Sequence, residues 1–386
     1  MNSTDQLNSW VEVSRKAYAA NIVFFRKQLR RDCEFSVVVK SNAYGHGMEQ
    51  IARLAAENGV QSFCVHSLEE ALELRRLGFT QDVLIMGPVL LNRIGEAVQN
   101  DFRIAVHTTE TLNELERCAE QLNKTARLHL KLETGTYRQG ILPDDLPPLA
   151  QKAATSPRLK LEAVYTHFAN IEDTTDHSYA MQQLNRFNSM ADEISRGQNT
   201  AFMRHTACSA AILLFPETHF DMVRLGISQY GLWPSRETFV SYKIRHMNEG
   251  EEALQPVLTW KTRISQVKKV GANQCIGYGC TYRTTRDSRI AILPIGYADG
   301  YDRRLSNQSY VLVRGQRAPL RGRVCMNLVM VDVTDIPQVS PEEEVVLLGA
   351  QGGERINADY LAGLAGTIHY EFVTRINWQI PRIIAE

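Results

Sequence analysis

The sequence predicts an α/β chain with an added β part: an N-terminal (β/α)8, TIM-like barrel followed by a mostly antiparallel β C-terminal domain. Two observations carry this. Up to about residue 230, eight short apolar runs alternate with stretches of helical period, and after about residue 255 the period drops to two and turn residues multiply. Size agrees, since 386 residues is long for one domain and suits a barrel with an appendage.

The runs fall at 35–40 (FSVVVK), 62–66 (SFCVH), 82–86 (DVLIM), 103–107 (RIAVH), 127–132 (RLHLKL), 163–167 (AVYTH), 202–206 (FMRHT) and 222–226 (MVRLG). Strands apolar on both faces, with amphipathic helices between them, mean a parallel sheet covered on its outer side. One such helix is written at 67–78 (SLEEALELRRLG), where Ser67 and Glu70 form a capping box and Gly78 signals the C-terminal end. An open doubly wound sheet would alternate similarly, and the count of eight favours closure. In the second half, 259–270, 289–295, 310–314, 323–333 and 344–348 read as antiparallel strands, with ADGYD, RGQR and QGGE as turns. The polar stretch 235–252 reads as the linker. The expected domains are 10–245, the barrel, and 246–386, the β domain.

Composition excludes several classes. Lys plus Arg and Asp plus Glu both number 43, so no net charge draws the chain to nucleic acid or an anionic membrane. No apolar run approaches the ~18 residues needed to span a bilayer, and the polar first ten residues lack the core of a secretory signal. The seven cysteines are scattered, with no CxxC pair, as in reduced cytosolic thiols; neither a disulfide framework nor a metal site is expected. The expected location is cytoplasmic.

A barrel places its chemistry at the C-terminal ends of its strands. Those ends carry Lys40, His66, His107, Lys131 with Arg138 beyond, His167, Ser209 and Arg224. Position alone leaves Lys40 open between a strand-end lysine reaching solvent and a desolvated, nucleophilic amine suited to Schiff-base chemistry. His167, Lys131 and the Arg224–Gly226 stretch are equally ambiguous alone.

The surrounding residues change that reading. KSNAYGHG at 40–47 resembles the signature of the fold-type III, pyridoxal-phosphate-dependent alanine racemases. The resemblance continues in order through KLETGTYR (131–138), YTHFA (165–169), HTACSAA (205–211), RLGISQYG (224–231), GYGCTY (277–282), GYADG (296–300) and GRVCMN (322–327). It spans nearly the whole chain and both expected domains.

This resemblance implies pyridoxal 5'-phosphate as cofactor, alanine as substrate and supply of D-alanine for peptidoglycan. It implies Lys40 as the cofactor-binding lysine, with Tyr44, Ser209, Gly226, Ile227 and Trp378 at the phosphate. Arg138 matches the arginine at the cofactor's phenolate oxygen and the substrate, and Lys131 a lysine often carbamylated. Arg224 and His167 form a coupled pair beneath the ring, Arg224 donating to its nitrogen; an arginine keeps its proton, so that nitrogen stays unprotonated. Racemisation needs an acid/base group on each face of Cα, and the implied pair is Lys40 and Tyr278. Tyr278 comes from the β domain of a second subunit, with Tyr297 and Met326 near the same entrance. A head-to-tail homodimer with shared sites follows.

The sequence departs from the family pattern at four places: Cys208 for a common Asn, Asn327 for a usual Asp, Trp378 for a Tyr, and Tyr137 for a small residue. Competing readings are a racemase of serine or another small amino acid, a decarboxylase of the same fold type, or a non-catalytic carrier of the cofactor. A decarboxylase would place a carboxylate where Arg224 stands, and a carrier would lack the β domain.

Overall fold

The computed structural model describes residues 4–197, 201–246 and 253–386. Its first strand, β1 (Ser9–Ser14), is one the periodicity did not announce. The next eight match the eight apolar runs: β2 (Glu34–Val38), β3 (Ser62–Val65), β4 (Asp82–Ile85), β5 (Arg103–Val106), β6 (Ala126–Lys131), β7 (Leu159–Tyr165), β8 (Met203–His205) and β9 (Met222–Leu225). They form one sheet in the order β8-β7-β6-β5-β4-β3-β2-β9, all pairs parallel. Across the remaining seam the amides of Asp221 and Arg224 donate to the carbonyls of Arg204 and Ala207, both at 3.0 Å, so the sheet is nearly closed.

The reason is patterning. Nearly every residue of β3, β4, β5 and β9 is buried, which a strand needs when side chains fill the barrel on one face and meet helices on the other. The helix after β3, Leu68–Arg76, starts at Ser67 with the expected reciprocal capping box and ends just before Gly78, whose φ is +86°. At the opposite, N-terminal end of the strands, Arg103 bonds Glu34 at 2.5 Å and Asp82 at 2.6 Å, and lies 3.0 Å from Glu162. Arg127 joins Asp82 and Glu162 at 2.7 and 2.9 Å. Charges placed this deep persist because Arg103, Arg127, Asp82 and Glu162 each have at least two ionic partners, and Glu34 adds a bond from Ser62 Oγ at 2.6 Å to its pairing with Arg103.

The chain separates into two units, Tyr18–Ser41 with Ile51–Gln255, and Met1–Ala17 with Asn42–Gln50 and Pro256–Glu386. The first holds the barrel strands. The second is mainly antiparallel: β1 lies between Leu258–Arg263 and Arg382–Ala385, the latter parallel to it, and the sheet extends through Glu344–Gln351 to the hairpin Tyr310–Val313/Gln316–Pro319. A three-stranded sheet of Gln266–Val270, Ser288–Leu293 and Val329–Asp332 completes its core.

Three sequence expectations are corrected. The stretch read as linker contains a helix, Arg236–Arg245, started by Ser235 Oγ accepting the Thr238 amide; 247–252 lie outside the described residues. Period two is nearly absent there, and so is helical amphipathicity, which hid it. The run 259–270 is two strands in different sheets, broken at the buried Ile264. The run 323–333 is a strand only from Val329, because the Cys325 amide turns back onto the Leu328 carbonyl at 2.9 Å.

Candidate active site

The barrel unit gathers cations at the C-terminal ends of its strands. Lys40 follows β2, half-buried; burial and then the Arg138 charge pull its amine below the ordinary lysine range, against a smaller opposing effect of Glu70. Lys131 ends β6, is 6% exposed, and is pulled down to about 8, by burial first and then by Arg138 and Arg224. Glu133 raises it only at range, since that carboxylate accepts the amides of Gly135 and Thr136 at 2.6 and 2.7 Å. His167, just past β7, is held far below its usual range by burial and then by Arg224, Arg138 and the two lysines, and is neutral. Its carbonyl is fixed by Thr136 Oγ1 at 2.6 Å and Gln183 Nε2 at 3.3 Å.

Arg224, on β9, is 4% exposed. One terminal nitrogen donates to His205 Nδ1 at 2.5 Å and the His205 carbonyl at 3.2 Å; the other donates to the carbonyls of Thr166 and Thr206 at 2.8 and 3.2 Å. Four of the guanidinium's five N–H groups are thus committed to protein, and Nε–H is left for a ligand. The ring of Tyr165 lies 5.1 Å from its Cζ and 5.8 Å from Lys131 Nζ.

Ser209 begins the short helix Ser209–Leu214 after β8, and its Oγ accepts the amides of Gly226 and Ser228 at 3.0 and 3.3 Å. Accepting twice, the hydroxyl has its own hydrogen to give outward. Ile227 opens the 3-10 segment Ile227–Tyr230 after Gly226, and its amide lies between the two that Ser209 Oγ takes. A hydroxyl donor, the Ile227 amide, one free arginine N–H and two lysines suit an anionic, ring-bearing ligand; the donor set fits pyridoxal phosphate. His66, by contrast, is exposed, and His107 is half-buried with burial and Lys131 lowering its pKa. Cys208 precedes Ser209 without capping the helix, and burial raises its thiol pKa.

The segment after Lys40 is unusual. Ser41, Asn42, Ala43 and Tyr44 all have φ between +52° and +55°, a full left-handed turn that L-residues avoid. Asn42 Oδ1 accepts the Met48 amide at 2.8 Å, and His46 Nδ1 sits 3.1 and 3.0 Å from the carbonyls of Ala43 and Tyr44. Both are acceptors, so Nδ1 carries the hydrogen. Gly45 follows with φ +83°, and a Cβ there would lie 2.0 Å from the Val373 carbonyl oxygen. Such strain concentrates where a site is over-determined by its surroundings.

The other unit displays the remaining expected residues. Tyr278, Tyr297, Met326 and Trp378 are 70%, 42%, 57% and 75% exposed. Tyr278 is set between Gly277 and Gly279, both at φ above +70°; a Cβ on Gly277 would sit 2.6 Å from Met330 Cε. The amides of Tyr297 and Ala298 donate to the carbonyls of Cys325 and Met326, both at 3.0 Å, and the Asn377 amide to Asp299 at 3.0 Å, which ties the Tyr297, Met326 and Trp378 loops together. Tyr44 stacks at a tilt on Tyr370, 6.2 Å away. Asn327 is exposed, and Tyr137, in the barrel unit, is 77% exposed with φ +49°.

Sequence reasoning passed over Tyr165, His129 and His205. The last two are fully buried, and single histidines inside apolar strands read as filler; His205 opening HTACSAA was the available signal.

The model of the alanine racemase N-terminal domain matches residues 13–234, and that of the alanine racemase C-terminal domain matches 257–384. The alanine racemase of Desulfosudis oleivorans is 38% identical over 390 aligned residues, covering 98% of this chain and 97% of its own. That of Symbiobacterium thermophilum is 40% identical over 374, covering 97% and 96%. The crystal structure of alanine racemase from Bacillus anthracis with bound L-Ala-P is similar with a TM-score of 0.89 at 36% identity, covering 98% of this chain and 95% of that one.

Proposed function

The chain belongs to the alanine racemase family, and from that premise we propose that it interconverts L- and D-alanine with pyridoxal 5'-phosphate, supplying D-alanine for peptidoglycan. The observation that carries the reading of the site is the convergence of Lys40, Lys131, Arg138 and Arg224 around a neutral His167 at the C-terminal ends of the barrel strands. In this reading Ser209, Tyr44, Trp378 and the Gly226–Ile227 turn would hold the phosphate, Gly226 through its close backbone and Ile227 through its amide, and Arg138 would hold the phenolate oxygen and the substrate carboxylate. When bound, the cofactor supplies a conjugated ring that spreads the electron pair left as Cα loses its proton.

The residues do the rest. Lys40, with its lowered pKa, keeps a larger neutral fraction than a solvated lysine, as both a nucleophile and a base require. It moves the proton on one face of Cα. On the other face Tyr278, from the β domain of a second subunit, does the same; its exposure beside Tyr297, Met326 and Trp378 supports display to a partner. Arg224 remains protonated, and its Nε–H, the one not committed to protein, would donate to the ring nitrogen without giving up its proton. A Lys131 amine brought to about 8 is partly neutral at physiological pH, the form that adds CO2; the resulting anionic carbamate would orient Arg138. Residues 10–245 serve as the cofactor-binding part and 246–386 as the part completing the partner's site, in a head-to-tail homodimer in the cytoplasm. Among the described residues no helix is long and apolar enough to cross a membrane.

The test mixes subunits. Tyr278→Phe should cut racemisation by ~10²–10⁴-fold while cofactor still binds, and Lys40→Ala should abolish it. Heterodimers of the two carry one intact site, so activity should return on mixing. No return after verified subunit exchange refutes the shared site.

A further inference from the structure

Behind Arg224 runs a line of buried polar groups that the reaction as described does not use. His205 Nδ1 receives the Arg224 N–H at 2.5 Å, and His205 Nε2 lies 3.0 Å from His129 Nδ1. His129 Nε2 in turn faces Glu162 Oε2 at 4.0 Å, too long for a hydrogen bond but close for a charge. Both imidazoles are 0% exposed. Glu162 is held by Arg127 and Lys160, each at 2.9 Å, and lies 3.0 Å from Arg103 Nε. It is an anion: although burial opposes it, those bonds and charges bring its pKa below the usual carboxylate value.

The direction of this line follows from one chemical fact. A guanidinium has no lone pair to offer, so between Arg224 and His205 the arginine must donate and Nδ1 must accept. Burial keeps His205 neutral, so its single ring hydrogen is on Nε2 and is donated to His129 Nδ1. His129 is neutral too, its pKa pushed down to about 3 chiefly by burial, so its hydrogen is on Nε2 and points at the Glu162 charge. Each imidazole dipole thus runs from the Arg224 cation to the Glu162 anion. The opposite tautomer of His205 would set N–H against N–H at 2.5 Å and drive the guanidinium away. Tyr165 hinders the ring from escaping by rotation: it stacks on His205 at 4.6 Å with 5° between planes.

We propose that His205, His129 and Glu162 are positioning residues for Arg224, a one-way chain along the barrel interior that fixes the imidazole tautomers and so aims the one uncommitted N–H of the guanidinium. This rests on the reading above in which that N–H meets the cofactor ring. The chain is not a proton wire. Passing a proton along it would leave a neutral arginine, which proteins do not tolerate.

The experiment is imidazole NMR on histidine-labelled, cofactor-loaded protein, practical because the sequence has only 10 histidines. Long-range proton–nitrogen correlations report which ring nitrogen bears hydrogen. In wild type, His205 and His129 should both be protonated on Nε2, and a hydrogen on His205 Nδ1 overturns the proposal without any variant. His129→Leu removes the acceptor for His205, whereas His129→Asn keeps an oxygen near the place of Nδ1. The leucine variant should show a second His205 tautomer, a changed visible spectrum of the bound cofactor, and a fall in kcat of about tenfold, the usual scale for an outer group that orients a contacting one. The asparagine variant should restore all three. An unchanged His205 signal and spectrum in His129→Leu refute the chain. A changed tautomer with an unchanged cofactor spectrum instead refutes the contact between Arg224 and the ring, so the two failures are distinguishable.

Discussion

Consider the stability of the protein as pH falls, with His46 as the probe. This residue is 1% exposed and its Nδ1–H serves the carbonyls of Ala43 and Tyr44, stapling the left-handed turn. Burial pulls its pKa from 6.5 to about 4, with the two backbone bonds opposing and the Arg382 charge assisting. The sign follows: the unfolded chain takes up the proton near pH 6.5 and the folded one resists until about 4, so the contribution is full above pH 6.5 and is lost on acidification. At ~1.4 kcal/mol per pKa unit, the shift of about 2.5 units amounts to ~3 kcal/mol over the whole window, of which ~2 kcal/mol goes between pH 7 and pH 5. His46→Asn keeps an N–H donor toward the same carbonyls but cannot titrate. Urea unfolding of both proteins at fixed concentration across pH 7.5 to 4.5 isolates the term, because the carboxylates common to both cancel in the difference. Wild type should lose stability faster than the variant by ~2 kcal/mol over two pH units. Parallel curves within ~0.5 kcal/mol would show that His46 takes up its proton in the fold, and that the staple is looser than the geometry says.

Two further expectations concern single positions. Gly45→Ala puts a Cβ into the Val373 carbonyl, whereas Gly78→Ala at nearly the same φ meets nothing within 4 Å. The second should cost ~1 kcal/mol from backbone conformation alone and the first ~2–4 kcal/mol, read as the difference in thermal unfolding; equal losses would mean the Val373 segment yields freely. Trp378→Tyr should change cofactor dissociation while leaving the alanine-to-serine activity ratio alone if, as proposed, Trp378 serves the phosphate. A shifted ratio at unchanged cofactor affinity would move Trp378 to the substrate pocket.

The barrel was legible because its strands are buried on both faces, which writes runs such as SFCV and RIAV that few other folds need. The capping box at Ser67 was equally plain, being a purely local arrangement. What stayed hidden was non-local or handed. Nothing in 259–270 announces that the chain leaves one sheet for another at Ile264, since no glycine or proline marks the break. The helix Arg236–Arg245 has no apolar stripe to betray it. For the site, strand-end lysines and arginines could be found from the alternation, but His129 and His205 sit inside strands, where their chemistry depends on partners 76 residues apart. Tyr278 had no local signal; only the motif around it singled it out.

The left-handed turn bears on how such proteins are recognised. In KSNAYGHG, six of eight residues, Ser41 through Gly45 and Gly47, have positive φ. The four that are not glycine occupy a region where β-branched side chains are selected against before any reaction is considered, and none of the four is β-branched. Much of what makes the string diagnostic is therefore a record of backbone handedness. Of its members only Lys40 and Tyr44 carry proposed chemistry; Asn42, Ala43 and the glycines hold the geometry that delivers the lysine. Two enzymes with the same proton transfers, reached through a right-handed approach to the same lysine, would share almost none of this signature. Its presence dates the scaffold more surely than it reports the reaction.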